Sequence, residues 1–439
     1  MSLPAAQGGC GRALWQRCHS SERDCSRERF RVYSAAMSQS PKIALFLAGG
    51  GARAAYQIGV LQAIFSLLSE TGWPATELPF KIICGTSAGA LNAAALASRA
   101  DNFEESITVL LRIWRELDVE QVYRADSIGV IRSGARWLSL LSFGWLLRKW
   151  RTQPPNSLLD NSPLVGLLHR MLDLPRLDHV IGRGVLDALA VSASSYTAGR
   201  HVIFYQSREP IAPWSRALRS SVPQQIGVDH LLASSAIPLI FPAVPLYCNE
   251  RCEYFGDGSM RDVAPISPAI HLGASKVLVI GAGNMGGPQR EFSQFAGYPS
   301  LAQIAGHAMS SIFLDGLSSD IERLKRINAT LSLLTTEQRR QTSLRPVEML
   351  AMTPSQPLDT IASLHVGSLP LPIRTLLSAI GATERRGAAL ASYLLFESAY
   401  TRSLIELGQI DTFVRRDEIL HFFEVSEFEK SYQKKKYLT

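Results

Sequence analysis

Ile43-Ala44-Leu45-Phe46-Leu47-Ala48-Gly49-Gly50-Gly51-Ala52-Arg53 is an apolar run that ends in three glycines. It reads as a buried strand followed by a glycine loop. Beyond it, Ile58, Leu61, Ile64, Phe65 and Leu68 recur at helical spacing over 53–69, and Gly72 fits a stop. Phe80-Lys81-Ile82-Ile83-Cys84 is a second buried strand, Gly85 to Gly89 turn the chain, and an Ala-rich helix is expected over 88–99. Strand, loop, helix, strand, turn, helix is the order that lays parallel strands side by side with helices on the faces. The expectation is an α/β fold with a mostly parallel central sheet.

Working outward, residues 103–117 read as helix, and 118–175 are less regular, rich in Trp and Pro. Strand-like runs return at 187–193, 201–205, 276–280 and 347–352. Helices are expected near 229–236, over 301–326 and over 383–407, the last closed by Gly408. Residues 1–40 are polar, Arg- and Ser-rich and aperiodic, the pattern of a disordered tail. The organisation expected is therefore a tail (1–40), an α/β domain (41–288) with a Trp-rich insertion over about 118–175, and a mainly helical region (289–439) packing on it. No internal repeat is visible.

Composition narrows the function classes. Of 439 residues, 46% are apolar and 19% charged, enough to bury a sizeable core. Net charge is +7, and the first 36 residues hold six arginines against three acids. There is no zinc finger, RNA-binding signature or basic helix, so nucleic acid is not an expected partner. Six cysteines are few for this length, which favours free thiols in a reducing compartment. Cys248 and Cys252 lie close together but lack a second ligand pair, so no metal is expected. The N-terminal stretch lacks an apolar secretory core, and the uncharged runs 54–69 and 82–98 are too patterned to be membrane spans. A cytoplasmic protein, with peripheral membrane contact allowed, is the expectation.

Gly85-Thr86-Ser87-Ala88-Gly89 matches Gly-x-Ser-x-Gly between a buried strand and a helix. In such an elbow the serine sits on a strained turn, its neighbours must be small, and its hydroxyl is lifted clear of the sheet. The alternative is an ordinary strand–turn–helix whose small residues only pack. The loop Gly49-Gly50-Gly51-Ala52-Arg53 can aim several N–H groups at one point, which suits an oxyanion or a phosphate. Gly49-x-Gly51-x-x-Ala54 also fits a dinucleotide fingerprint, which needs an acid at the end of the second strand. That strand ends in Cys84-Gly85. Glu70, which has the right spacing, falls in the last turn of the preceding helix, so the dinucleotide reading fails. A serine nucleophile needs a proton acceptor. None of the nine histidines carries a motif, whereas Phe255-Gly256-Asp257-Gly258-Ser259 presents an Asp between glycines. Taken alone it reads first as a plain Asp-Gly hairpin turn.

The order Gly-Gly-Gly-x-Arg, Gly-x-Ser-x-Gly, Asp-Gly resembles the patatin-like phospholipases. The likeness extends to Ala233-Ser234-Ser235-Ala236-Ile237-Pro238-Leu239-Ile240-Phe241-Pro242 and runs from about 42 to 282. It implies a three-layer α/β/α domain and a Ser–Asp dyad with Ser87 as nucleophile and Asp257 as general base. It further implies an oxyanion hole from Gly49, Gly50, Gly51 and Ala52, with Arg53 buttressing that loop. The reaction implied is acyl transfer through an acyl-serine to water, of phospholipase A or lysophospholipase type, with no metal or organic cofactor. Ala54 stands where many members have glycine, and Ser259 where many have glycine or alanine; neither change removes a reacting group.

Residues 136–151 are tryptophan-rich and flanked by basic side chains, and too short to span a bilayer. They suit an interfacial helix, a cap over an acyl pocket or a packed core helix. The substrate class expected is a phospholipid or other acyl ester. A soluble esterase or thioesterase with the same dyad, or a catalytically silent lipid-binding protein, are the rival readings. Oligomeric state is not legible.

Overall fold

The first two strands form where the apolar runs predict them: β1 (Ile43–Leu47) and β2 (Ile82–Thr86). The computed structural model describes residues 41–126, 157–248, 250–284, 298–384 and 387–425. After β2 come β3 (Ala188–Ser195), β4 (Arg200–Ser207), β5 (Ser215–Arg216), β6 (Arg219–Pro223), β7 (Val244–Cys248), β8 (Arg251–Asp257), β9 (Lys276–Ile280) and β10 (Glu348–Met352). Across the sheet the order is β10-β9-β1-β2-β3-β4-β6-β5, with β8 pairing both β3 and β7. The centre, from β10 through β3, is parallel. The antiparallel pairs lie at β3–β4, β3–β8, β7–β8 and β5–β6.

Side chains alternate along the central strands and split the core in two. Leu45, Leu47, Ile83, Leu278 and Ile280 face the helices Ala55–Glu70 and Ala88–Ala97. Ala44, Phe46, Cys84, Val277 and Val279 face Leu272 and the buried side of the helix Gly316–Ser332. Both sheet faces are therefore covered, the condition under which parallel strands read as unbroken apolar runs.

Two helices differ from their expected form. The span 301–326 is the helix Leu301–Ser310, a π-helical turn at Ser311–Asp315, and the helix Gly316–Ser332. Phe313, within the turn, is buried and stacks on Tyr393 with centroids 5.0 Å apart. The span 383–407 contains two helices, Ala388–Leu394 and Ser398–Val414, so Gly408 lies inside a helix rather than ending one. The reason is contact. A Cβ on Gly408 would strike the Tyr56 carbonyl, and one on Gly59 would strike the Ile405 carbonyl. The paired glycines let the helices Ala55–Glu70 and Ser398–Val414 cross backbone to backbone.

The described part of 118–175 holds the helix Ser162–Met171, followed by Leu174–Gly182. The tail 1–40, the tryptophan-rich stretch 136–151 and Lys434–Lys436 lie outside the described residues. Among the described residues no helix is long and apolar enough to cross a membrane.

Candidate active site

β2 ends at Thr86 and the next helix starts at Ala88, so Ser87 alone carries the change of direction. Its backbone takes φ 56° and ψ −132°. For a residue with a Cβ, such a conformation costs about 1–3 kcal/mol and persists only when its surroundings enforce it. Here they do. A Cβ on Gly85 would collide with the backbone of Gly89 and Ala90, and one on Gly89 with the Leu47 and Ala48 carbonyls. The Ser87 N–H donates to Ser234 Oγ at 2.9 Å, which pins the turn to the helix Val228–Ser234.

Asp257 ends β8, opposite Ala193 of β3, and β3 is the parallel neighbour of β2. Neighbouring strands thus bring together two residues 170 positions apart: Ser87 Oγ donates to Asp257 Oδ2 at 2.5 Å. The Ser259 N–H donates to Oδ1 at 2.9 Å. Asp257 is fully buried. Burial pushes its carboxyl up to about 6, opposed by the hydrogen bonds from Ser87 and Ser259 and reinforced by the nearby Asp262 carboxylate. Among the described residues, neither Ser87 nor Asp257 has a histidine as a hydrogen-bond partner.

Asp262 forms a further layer behind the pair. Thr86 Oγ1 donates to Asp262 Oδ2 at 3.3 Å, and burial raises the Asp262 carboxyl to about 7. His201 lies with Nε2 3.7 Å from Asp262 Oδ1, too far for a hydrogen bond. Burial lowers the imidazole to about 4, so at neutral pH this is a neutral histidine beside a carboxyl group and not an ion pair.

The glycine loop packs directly on the serine. A Cβ on Gly49 would reach Ser259 Oγ and the Ser87 Cβ. Gly51 has φ 54° and opens the short 3-10 turn Gly51–Ala54. Among the described residues, the N–H groups of Gly49 and Gly50 have no backbone acceptor. Those of Gly51 and Ala52 begin a helical turn, where donors have no partner within the turn. Arg53 is buried. Its Nε donates to Ser392 Oγ at 2.7 Å, Nη1 to the Tyr393 hydroxyl at 3.0 Å and Nη2 to the Ala389 carbonyl at 3.3 Å. The guanidinium carbon lies 3.9 Å from the centroid of the Tyr393 ring. Glu70, the acid of the rejected dinucleotide reading, pairs with Arg416 at 2.9 Å.

Ser87 opens on a cavity with about 510 Å³ of empty space, part of it continuous with solvent. Its walls are almost wholly apolar: Leu91, Ile113, Trp114, Leu167, Met171 and Phe396 are among them. Such apolar walls beside the serine suit the hydrocarbon part of a substrate. Among the described residues no group of three or more His, Cys, Asp or Glu side chains is placed to hold a metal.

Residues 45–270 match the family model described as patatin-like phospholipase. The chain belongs to the patatin-like phospholipase family. Lipid hydrolysis is that family's general activity, and lipid esters are its substrates. Two solved structures are similar at low identity. One is VipD from Legionella pneumophila: 15% identity, TM-score 0.32, 84% of this chain and 67% of that one covered. The other is full-length ExoU, solved with SpcU, from the type III secretion system of Pseudomonas aeruginosa: 16% identity, TM-score 0.24, coverage 81% and 71%. No curated protein matches the chain.

Of the residues picked out in the sequence, Ser87, Asp257, Gly49 and the elbow residues Gly85, Thr86, Ala88 and Gly89 gather at one end of the central strands of this patatin-like domain. Sequence reasoning did not assign Ser234, which lay unexplained inside the 233–242 segment. It also missed Asp262, Ser392 and Tyr393, for which the sequence carries no local signal.

Proposed function

We propose that the chain is a phospholipase A or lysophospholipase in which Ser87 is the nucleophile and Asp257 the general base. Ser87 Oγ attacks the ester carbonyl carbon and its proton passes to Asp257. The carbonyl oxygen becomes an oxyanion held by N–H groups of Gly49, Gly50, Gly51 and Ala52, a task that preorganised donors perform without rearrangement. Collapse expels the alcohol, which takes the proton from Asp257, and leaves an acyl-serine. Water, deprotonated by the same carboxylate, then attacks the acyl carbon, and the fatty acid leaves as Ser87 regains its proton. Residues 41–288 carry this machinery, and 289–439 form the region that buttresses it through Arg53. No metal or organic cofactor takes part in this scheme.

The observation that carries the reading is the 2.5 Å hydrogen bond between Ser87 and a fully buried Asp257 beside an apolar cavity. An aspartate with ordinary acidity, near ~3.9, is a weak base at neutral pH. One lifted to about 6 and in direct contact with the hydroxyl is a serviceable base.

The test is turnover of a short-chain p-nitrophenyl ester and of phospholipid vesicles by wild type, Ser87→Ala and Asp257→Asn. The expected result is turnover of both substrates by wild type and loss to background in both folded variants. Ester turnover without any vesicle turnover would favour a soluble esterase. Full activity of Asp257→Asn would move the base elsewhere.

A further inference from the structure

A second cleft, with about 740 Å³ of empty space, shares Ile113 and Leu167 with the apolar cavity. Its polar lining is strongly one-signed: Arg99, Arg112 and Arg170 against the single carboxylate Glu116. Arg99 is anchored, its Nη1 donating to the Met171 carbonyl at 2.6 Å and its Nε lying 3.6 Å from Glu105. Arg112 and Arg170 are exposed on two different helices, Phe103–Arg115 and Ser162–Met171. Among the described residues neither has a carboxylate partner within ion-pair distance, and both side chains line the cleft.

We propose that this cleft docks the protein on an anionic phospholipid surface. Arg112 and Arg170 take lipid phosphates, and the apolar wall of Ile113 and Leu167 faces the acyl region. Two features select a lipid over a soluble phosphate. The cleft backs directly onto the cavity that holds the acyl chain in the proposed reaction. Its guanidiniums also stand on separate helices around an open mouth, a spread that suits several headgroups better than one small ion. Basic side chains near an anionic membrane each strengthen binding by about 1 kcal/mol, an effect that fades with salt.

The proposal rests on the lipid-hydrolase reading, so binding is measured apart from turnover. The Ser87→Ala protein is floated with vesicles of phosphatidylcholine alone and of phosphatidylcholine mixed with phosphatidylglycerol, at low and high salt. Preference for the mixed vesicles is expected, weakened by salt and reduced about tenfold or more by Arg112→Gln/Arg170→Gln. A circular-dichroism melt checks that the double variant is folded. Lys325→Gln/Arg326→Gln, at two exposed positions of the helix Gly316–Ser332, removes the same two charges elsewhere and should bind like its parent. Equal binding to both vesicles, or a double variant that binds like its parent, overturns the proposal. So does a wild-type cleft occupied by soluble glycerol phosphate with no preference among vesicles. If the Ser87-containing protein turns over neither ester nor vesicle while the charge-dependent binding persists, the hydrolase reading falls and the docking surface stands.

Discussion

A buried aspartate beside a serine hydroxyl makes two pH-dependent claims. The first concerns rate. In the proposed mechanism Asp257 must be ionised to accept the Ser87 proton, and its carboxyl is raised to about 6. On a soluble ester, kcat/KM should therefore climb with pH and reach half its plateau near about 6, since this ratio reports the free protein. An acid limb near ~4 instead would mean that the base is an ordinary exposed carboxylate. The second concerns stability. A carboxyl whose folded value lies above its unfolded one, near ~3.9, stabilises the fold only while protonated, and that contribution is lost as pH rises through about 6. Asp257→Asn should thus raise Tm at about pH 8 and leave it nearly unchanged at about pH 4, as calorimetry would show. The serine, the aspartate and the three glycines were legible because each sits in a short local pattern. Ser234 and Asp262 were not, because their contacts with the elbow span 147 and 176 residues. No short window of sequence records such a contact.

Glycine did two kinds of work among the elements, and sequence separates them poorly. Gly85 and Gly89 belong to the strand-to-helix turn itself, where a Cβ would meet backbone. Gly408 carried the signature of a helix stop yet lies within the helix Ser398–Val414 against Tyr56. A stop and a helix crossing demand the same missing Cβ, and only the partner helix tells them apart. Gly408→Ala should force the crossing open and cost about 1–3 kcal/mol, read as a lower midpoint in urea. An unchanged midpoint would mean that the two helices are not held at this distance. The same region reaches the site through Arg53, which is gripped by Ser392, Tyr393 and Ala389. Tyr393→Ala removes a hydrogen bond and the ring beneath the guanidinium. Ester kcat should fall about 10- to 100-fold with little change in KM, because small displacements of positioned groups are costly. A change in KM alone would place Tyr393 in substrate binding instead.

At the scale of the whole molecule, the family match ends at residue 270, but the sheet does not. β10, at Glu348–Met352, pairs in register with β9, and Phe396 lines the cavity at Ser87. A chain ending at residue 288 would leave the β9 edge bare and the apolar side of the helix Ala55–Glu70 uncovered. It should be recovered insoluble or without ester turnover; a soluble, fully active fragment would show that 289–439 are dispensable. The α/β order and the parallel centre were readable from apolar runs ending in glycine. The attachment of the C-terminal helices was not, since it rests on surface matching between segments more than 300 positions apart, as with Arg53 and Tyr393. The central claim remains that Ser87 reacts and Asp257 drives it. A fluorophosphonate probe, followed by peptide mapping with mass spectrometry, tests it most directly. The account predicts a single adduct on Ser87, formed faster as pH rises through about 6 and lost almost completely in Asp257→Asn. An adduct on another serine, or labelling of Asp257→Asn at the wild-type rate, would contradict it.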